Sequence, residues 1–173
     1  SYIVQASALA LASDVERMAV YKLFDQALPE GGESFGLTVP STGLPRPAYD
    51  SYQMVVKQFS NVTSATLYQM ENVNVVQMEV ADNHMITVMW MRNASSATVE
   101  LTATGEKAYA LDQYGNIMIA RPEDGVYSIA LEPARCTDTD GCFIGGNVSI
   151  LIQPLGTITI SQIEPTTEII LGQ

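Results

Sequence analysis

Residues 20–52, VYKLFDQALPEGGESFGLTVPSTGLPRPAYDSY, decide how the rest of the chain is read. A short apolar run ends at Lys22-Leu23-Phe24-Asp25. Residues 26–45 are rich in glycine and proline, and loops of that length inside compact domains are usually functional. Pro47 then sits where a helix tolerates it, in the first turn, because the missing N–H has no intrahelical partner there. Ala48, Tyr52, Val55 and Phe59 recur at helical spacing and form one apolar stripe. The stretch predicts strand, long loop, helix.

Upstream, residues 2–13 (YIVQASALALAS) are rich in alanine and leucine and hold no glycine or proline, which predicts a helix. It is apolar around nearly its whole circumference, so burial on more than one side is expected. Residues 14–17 read as a polar turn and residues 18–24 (MAVYKLF) as a strand. Helix, tight turn and strand make half of a βαβ unit, in which helices cover a parallel sheet. One such strand makes no sheet, so the segment reads as part of a larger body. The N-terminal residues lack the basic flank of a signal peptide and an initiator Met, and read as an end cut from a longer chain.

From Asn61 the apolar period changes from helical to two. Strands are predicted at 66–70, 75–80, 85–90, 98–101, 109–111, 117–119, 125–131 and 148–152, divided by turn signals such as Asp82-Asn83 and Asp124-Gly125. About eight short strands without a helix signal predict a β-sandwich over 61–155, of jelly-roll type. Residues 156–173 read as an edge strand or a linker tail.

The formal net charge is −11, and residues 60–173 carry four basic and 13 acidic side chains. That balance excludes nucleic acid and anionic membrane surfaces as partners, since both require positive charge. No apolar run approaches the roughly 18 residues of a membrane span. Only 16% of residues are charged, so the polar surface must be Ser, Thr, Asn and Gln, as in many secreted β proteins. Cys136 and Cys142 flank a turn-rich stretch. A local disulfide would imply an oxidising compartment and add about 2 kcal/mol; the alternative is two unpaired thiols. Asp138 and Asp140, before Gly141, match the start of a calcium loop, but the closing Glu is absent and a plain acidic turn is the commoner meaning. Structural calcium is the only cofactor the sequence suggests. Trp90 alternates in phase with Ile86 and Val88, which favours a core anchor over a sugar-stacking platform.

The run YKLFD, then Phe35-Gly36-Leu37, then Arg46-Pro47-Ala48-Tyr49 resembles the closing end of the catalytic barrel in bacterial (β/α)8 glycoside hydrolases of the retaining, two-glutamate clan. Downstream, Thr87-Val88-Met89-Trp90, the turn from Asp112 to Gly115, the strand from Asp124 to Leu131 and Ile144-Gly145-Gly146 resemble that family's C-terminal accessory domain. The likeness spans roughly residues 1–60 and 86–155. Ser41-Thr42-Gly43 departs from it, standing where Asp-Gly is usual before the final helix.

The resemblance implies a mainly β chain: a C-terminal jelly-roll-like β-sandwich (61–155) preceded by a helix–strand–helix remnant of a (β/α)8 barrel (1–60). Such enzymes use two carboxylates about 5 Å apart. In this family both lie upstream of the last barrel strand, so no catalytic residue is expected here and the chain alone should be inactive. Barrel active sites sit at the C-terminal strand ends. Phe24, Asp25, Glu33 and Phe35 are therefore the candidates for sugar contact; otherwise Asp25 caps a strand end and Phe35 plugs the rim. The implied partners are carbohydrate and the upstream barrel of the same polypeptide, outside a bacterial cell or on its surface. Two rivals remain: a carbohydrate-binding module, and a cell-surface interaction module without catalysis.

Overall fold

Alternating apolar side chains from residue 61 onward build two antiparallel sheets, and the two helices before them cover one outer face. The computed structural model describes residues 1–25, 35–135 and 145–163. Its elements run α1 (Tyr2–Leu11), α2 (Pro47–Phe59), β1 (Val62–Gln69), β2 (Val73–Val80), β3 (His84–Met91), β4 (Ala97–Thr102), β5 (Ala108–Asp112), β6 (Ile117–Ala120), β7 (Val126–Leu131), β8 (Ser149–Pro154) and β9 (Ile160–Ile163). The larger sheet has six strands in the order β1-β2-β3-β8-β5-β6, and the smaller has three, β7-β4-β9. The eight segments read as strands correspond to β1–β8, and β9 forms an edge of the smaller sheet within the stretch read as edge strand or tail.

Strands expose successive side chains on opposite faces, so β3 can serve two cores. Met89 and Met91 point to one side with Val73, Val75 and Leu151, where they meet Val99, Leu101, Tyr127 and Leu131 of the smaller sheet. Ile86, Val88 and Trp90 point to the other, together with Val76, Met78 and Ile150. That face packs against Val4 and Ala8 of α1 and Met54, Val55 and Phe59 of α2. Trp90 is buried as a core anchor. Six-residue alternation alone would permit a solvated outer face; the helices are what make the run from Met85 to Met91 buried throughout.

Both helices form where expected. The buried face of α2 is Ser51, Met54, Val55 and Phe59, with Ala48 exposed. The stripe is rotated from the expected one because contact with α1 and the sheet fixes which side is covered. α1 has only Tyr2 exposed along its length, in keeping with its apolar circumference. At the Asp124-Gly125 turn both residues have positive φ, the geometry that twisted hairpins prefer.

Residues 18–24 do not form the expected strand. Met18, Tyr21, Leu23 and Phe24 are exposed, and among the described residues the β contact of the run is a parallel bridge from Phe24 to Thr38. A strand needs a neighbour along its length to take up its peptide groups. Among the described residues this run finds one only at its end, where the N–H groups of Leu37 and Thr38 donate to the carbonyls of Lys22 and Leu23.

Candidate functional site

Asp25 organises the segment between the helices. It is 6% exposed, and both its oxygens accept from the Gly36 N–H, at 3.0 and 2.9 Å. Lys22 Nζ lies 3.3 Å from Oδ1 and Arg46 Nη1 3.7 Å from Oδ2. Arg46 Nη1 also donates to the Gly36 carbonyl at 3.0 Å, and its peptide N–H to Leu37 at 2.9 Å. Gly36 is required at this point: a Cβ there would stand 2.7 Å from the Asp25 nitrogen and 2.8 Å from Oδ2. The motif pieces Lys22…Asp25, Phe35-Gly36-Leu37 and Arg46-Pro47 are therefore one clasp. A buried carboxylate is tolerated because two cations and a peptide dipole compensate it.

Of the four residues expected to meet sugar, Phe24, Asp25 and Phe35 are described, and they are placed differently. Asp25 turns inward, and its described partners are cations and a peptide N–H. Phe24 is 65% exposed, and Phe35 is exposed as well. Glu33 lies outside the described residues, as do Cys136, Cys142, Asp138 and Asp140. Phe24 and Asp25 line a groove of about 450 Å³ with Thr38, Pro40, Pro45 and Tyr49, within the size range of small-ligand sites. Among the described residues the groove offers aromatic surface from Phe24 and Tyr49, and Asp25 is the carboxylate that lines it.

A second cavity lies where the ends of β5, β6, β7 and β8 converge. Its volume is about 520 Å³, and its polar lining includes Asp112, Gln113, Asn116, Glu132 and Asn147. The β5–β6 hairpin positions the first three. Asp112 Oδ1 accepts from the N–H groups of Tyr114 and Asn116, and Oδ2 from Asn116 Nδ2 at 2.7 Å. Gly115 closes the turn with φ +86°. Burial pushes the Asp112 pKa up, but the Asn116 side chain and the peptide N–H groups of the turn outweigh it, and the carboxyl titrates below its ordinary value. Across the cavity Asn147 Nδ2 donates to Glu132 Oε2 at 2.6 Å. Nothing in the sequence placed Glu132 and Asn147 beside the hairpin; the pairing Asp112↔Ser149 in the β5–β8 ladder brings Asn147 there, and its hydrogen bond to Glu132 joins the end of β7.

The Gly145-Gly146 turn joins the layers. Gln5 Nε2 of α1 donates to the Gly146 carbonyl at 2.8 Å, and the Gly145 N–H donates to Gln5 Oε1 at 3.3 Å. A Cβ at Gly145 would collide with the Trp90 ring. This contact was invisible in the sequence, because Gln5 sits in an apolar helix 140 residues away.

Among the described residues, no group of three or more His, Cys, Asp or Glu is placed to hold a metal ion, and no helix is long and apolar enough to cross a membrane. The sequence matches no protein-family model and no curated protein.

Proposed function

We propose that this chain is the C-terminal portion of a secreted bacterial glycoside hydrolase. Residues 1–60 would be the closing helix–strand–helix of a (β/α)8 barrel, and the two-sheet unit a jelly-roll-like sandwich that buttresses it. The catalytic glutamates would lie upstream of Ser1, and Phe24 and Phe35 would form part of the wall around the sugar.

The observation that supports this reading most is the surface of residues 18–24. Met18, Tyr21, Leu23 and Phe24 are all exposed beside a clasp that fixes the end of the run. Large apolar side chains exposed within one short run suit a surface that a partner covers. Among the described residues the peptide groups of this run are engaged at the Lys22 and Leu23 carbonyls, and N–H and C=O groups left over seek partners. A neighbouring parallel strand of a barrel would meet both needs at once.

The test is to extend the coding sequence upstream and assay both forms on aryl glycosides. Residues 1–173 should be inert. The extended protein should carry two strand-end glutamates, hydrolyse a glycoside with retention of anomeric configuration, and lose turnover when either glutamate becomes glutamine. Hydrolysis by residues 1–173 after repurification, or an extension encoding no barrel, would overturn the proposal.

A further inference from the structure

We infer that β6 is the contact through which two copies of this chain associate, its outer edge pairing antiparallel with the same strand of a partner across a two-fold axis at Met118. The inference stands apart from the glycoside hydrolase reading, because the β5–β6 hairpin belongs to the two-sheet unit.

The first observation is a strand that is apolar on both faces and well covered on neither. β6 reads Ile117-Met118-Ile119-Ala120, and its first three side chains are 55%, 69% and 61% exposed. Runs apolar at every position belong to strands buried on both sides. The ladder to β5 pairs Leu111 with Ile117 and Tyr109 with Ile119, so both isoleucines lie on the helix side of the sheet. The core under the helices includes Leu111 but leaves Tyr109, Ile117 and Ile119 exposed. Met118 pairs with Ala110 on the other face, where the smaller sheet leaves it exposed.

The second observation is the edge itself. Among the described residues, β6 pairs with β5 alone. The opposite edge of the same sheet, β1, is protected: its register shifts between Val62 and Ser64, and Thr63, Ser64 and Thr66 are exposed along it. Bulges and polar side chains are how proteins keep an edge from pairing. β6 holds no bulge, no charge and no proline.

A second copy fits this edge in register and in charge. Antiparallel strands related by a two-fold axis normal to the sheet keep their faces in common, so side chains of the same face meet. Centring on Met118 sets it against the partner's Met118, and sets Ile117 against the partner's Ile119. The net charge of −11 opposes self-association at long range, so the contact must be locally complementary. Lys107 and Arg121 flank the open end of the hairpin, with Glu106 and Glu123 just outside them. Asp112 stands at the turn end, and Asp50 of α2 lies beside that turn. The pairing lays Arg121 of each copy against the turn of the other, opposite Gly115. Within the chain itself, β9 lies across the smaller sheet from β7, and β7 is the strand that borders Met118. The segment following β9 therefore starts on the far side of the unit from β6.

At about 200 Å² for a large side chain, full cover of Tyr109, Ile117, Met118 and Ile119 removes about 450 Å² per copy. About 900 Å² for the pair is the size of a transient interface, so association should be reversible.

The experiment is sedimentation velocity on residues 1–173 at concentrations from about 1 to about 500 µM. A monomer–dimer equilibrium should appear, with a Kd of about 1–100 µM. Hydrogen exchange of the β6 amides should slow as the concentration rises. Met118→Lys places two ammonium groups face to face at the axis, and Arg121→Glu places like charges beside Asp112; each should weaken the dimer about tenfold. Both positions are exposed, so the circular dichroism and melting temperature of these variants should match the parent's. Thr66→Lys, on β1, should associate as the parent does. The inference is overturned if the chain stays monomeric to about 500 µM, the result expected if another segment of the same polypeptide covers β6. It is equally overturned if Met118→Lys dimerises as the parent does, if Thr66→Lys abolishes the dimer, or if the protection gained with concentration maps away from β6.

Discussion

Replacing Gln5 by alanine should loosen the helical layer from the sheets. The side chain makes two hydrogen bonds to the Gly145-Gly146 turn, at 2.8 and 3.3 Å, from a position 6% exposed. Each such bond contributes about 1 kcal/mol net. Gly146 is itself buried, so its carbonyl would lose its donor without gaining water, which adds about 1 kcal/mol or more. The total is about 3 kcal/mol. For a chain of this size, about 2–4 °C of melting temperature accompanies each kcal/mol, so the midpoint should fall by about 6–12 °C. Thermal and urea unfolding followed by circular dichroism read this directly. Gln5→Glu sharpens the test. A carboxylate has no donor for the Gly146 carbonyl, so this variant should be worse than alanine at neutral pH and recover in acid, where the protonated form donates again. Losses below about 0.5 kcal/mol for both variants, with an unchanged urea slope, would refute the anchoring of α1 on that turn.

Three further outcomes are expected. Gly36→Ala should destabilise by about 1–3 kcal/mol, because the new methyl meets the Asp25 backbone as well as its side chain, and limited proteolysis around residues 35–46 should accelerate. Thr87→Val removes an unpartnered buried hydroxyl while keeping its shape, so the urea midpoint should rise, by up to about 1 kcal/mol in stability. For Asp112 the folded pKa is lowered, so its contribution is complete above the unfolded value of about 3.9 and is lost as pH falls through the folded value. Asp112→Asn should therefore be less stable than the parent at neutral pH and converge with it in acid; a gap constant across that range would refute the assignment.

Much of the two-sheet unit was legible because its strands alternate cleanly and its turns use residues with a mechanism. Asp124-Gly125 and the Asp112-to-Gly115 turn are cases where local chemistry alone fixes the backbone. Period-two alternation cannot say what covers the second face of β3, and only the contacts of α1 and α2 reveal that. Residues 18–24 have the composition of a strand, but a strand is a relation between segments, and composition cannot supply the neighbour. The site residues divide in the same way. Asp25 was found from its motif, yet its inward orientation depends on Arg46 and Gly36 approaching from elsewhere in the chain. Gln113 gave no signal, since glutamine in a turn is ordinary until the β7 and β8 strand ends enclose it.

The clasp has a consequence for change over time. Asp25 and Gly36 are held to each other directly, so the ten residues separating them are tied off at the root. Lengthening such an insert is inexpensive, about 0.6 kcal/mol for each doubling. A lineage could rewrite or swap that interval repeatedly while the framework on either side stayed the same. Protein engineers could graft peptides into it for the same reason.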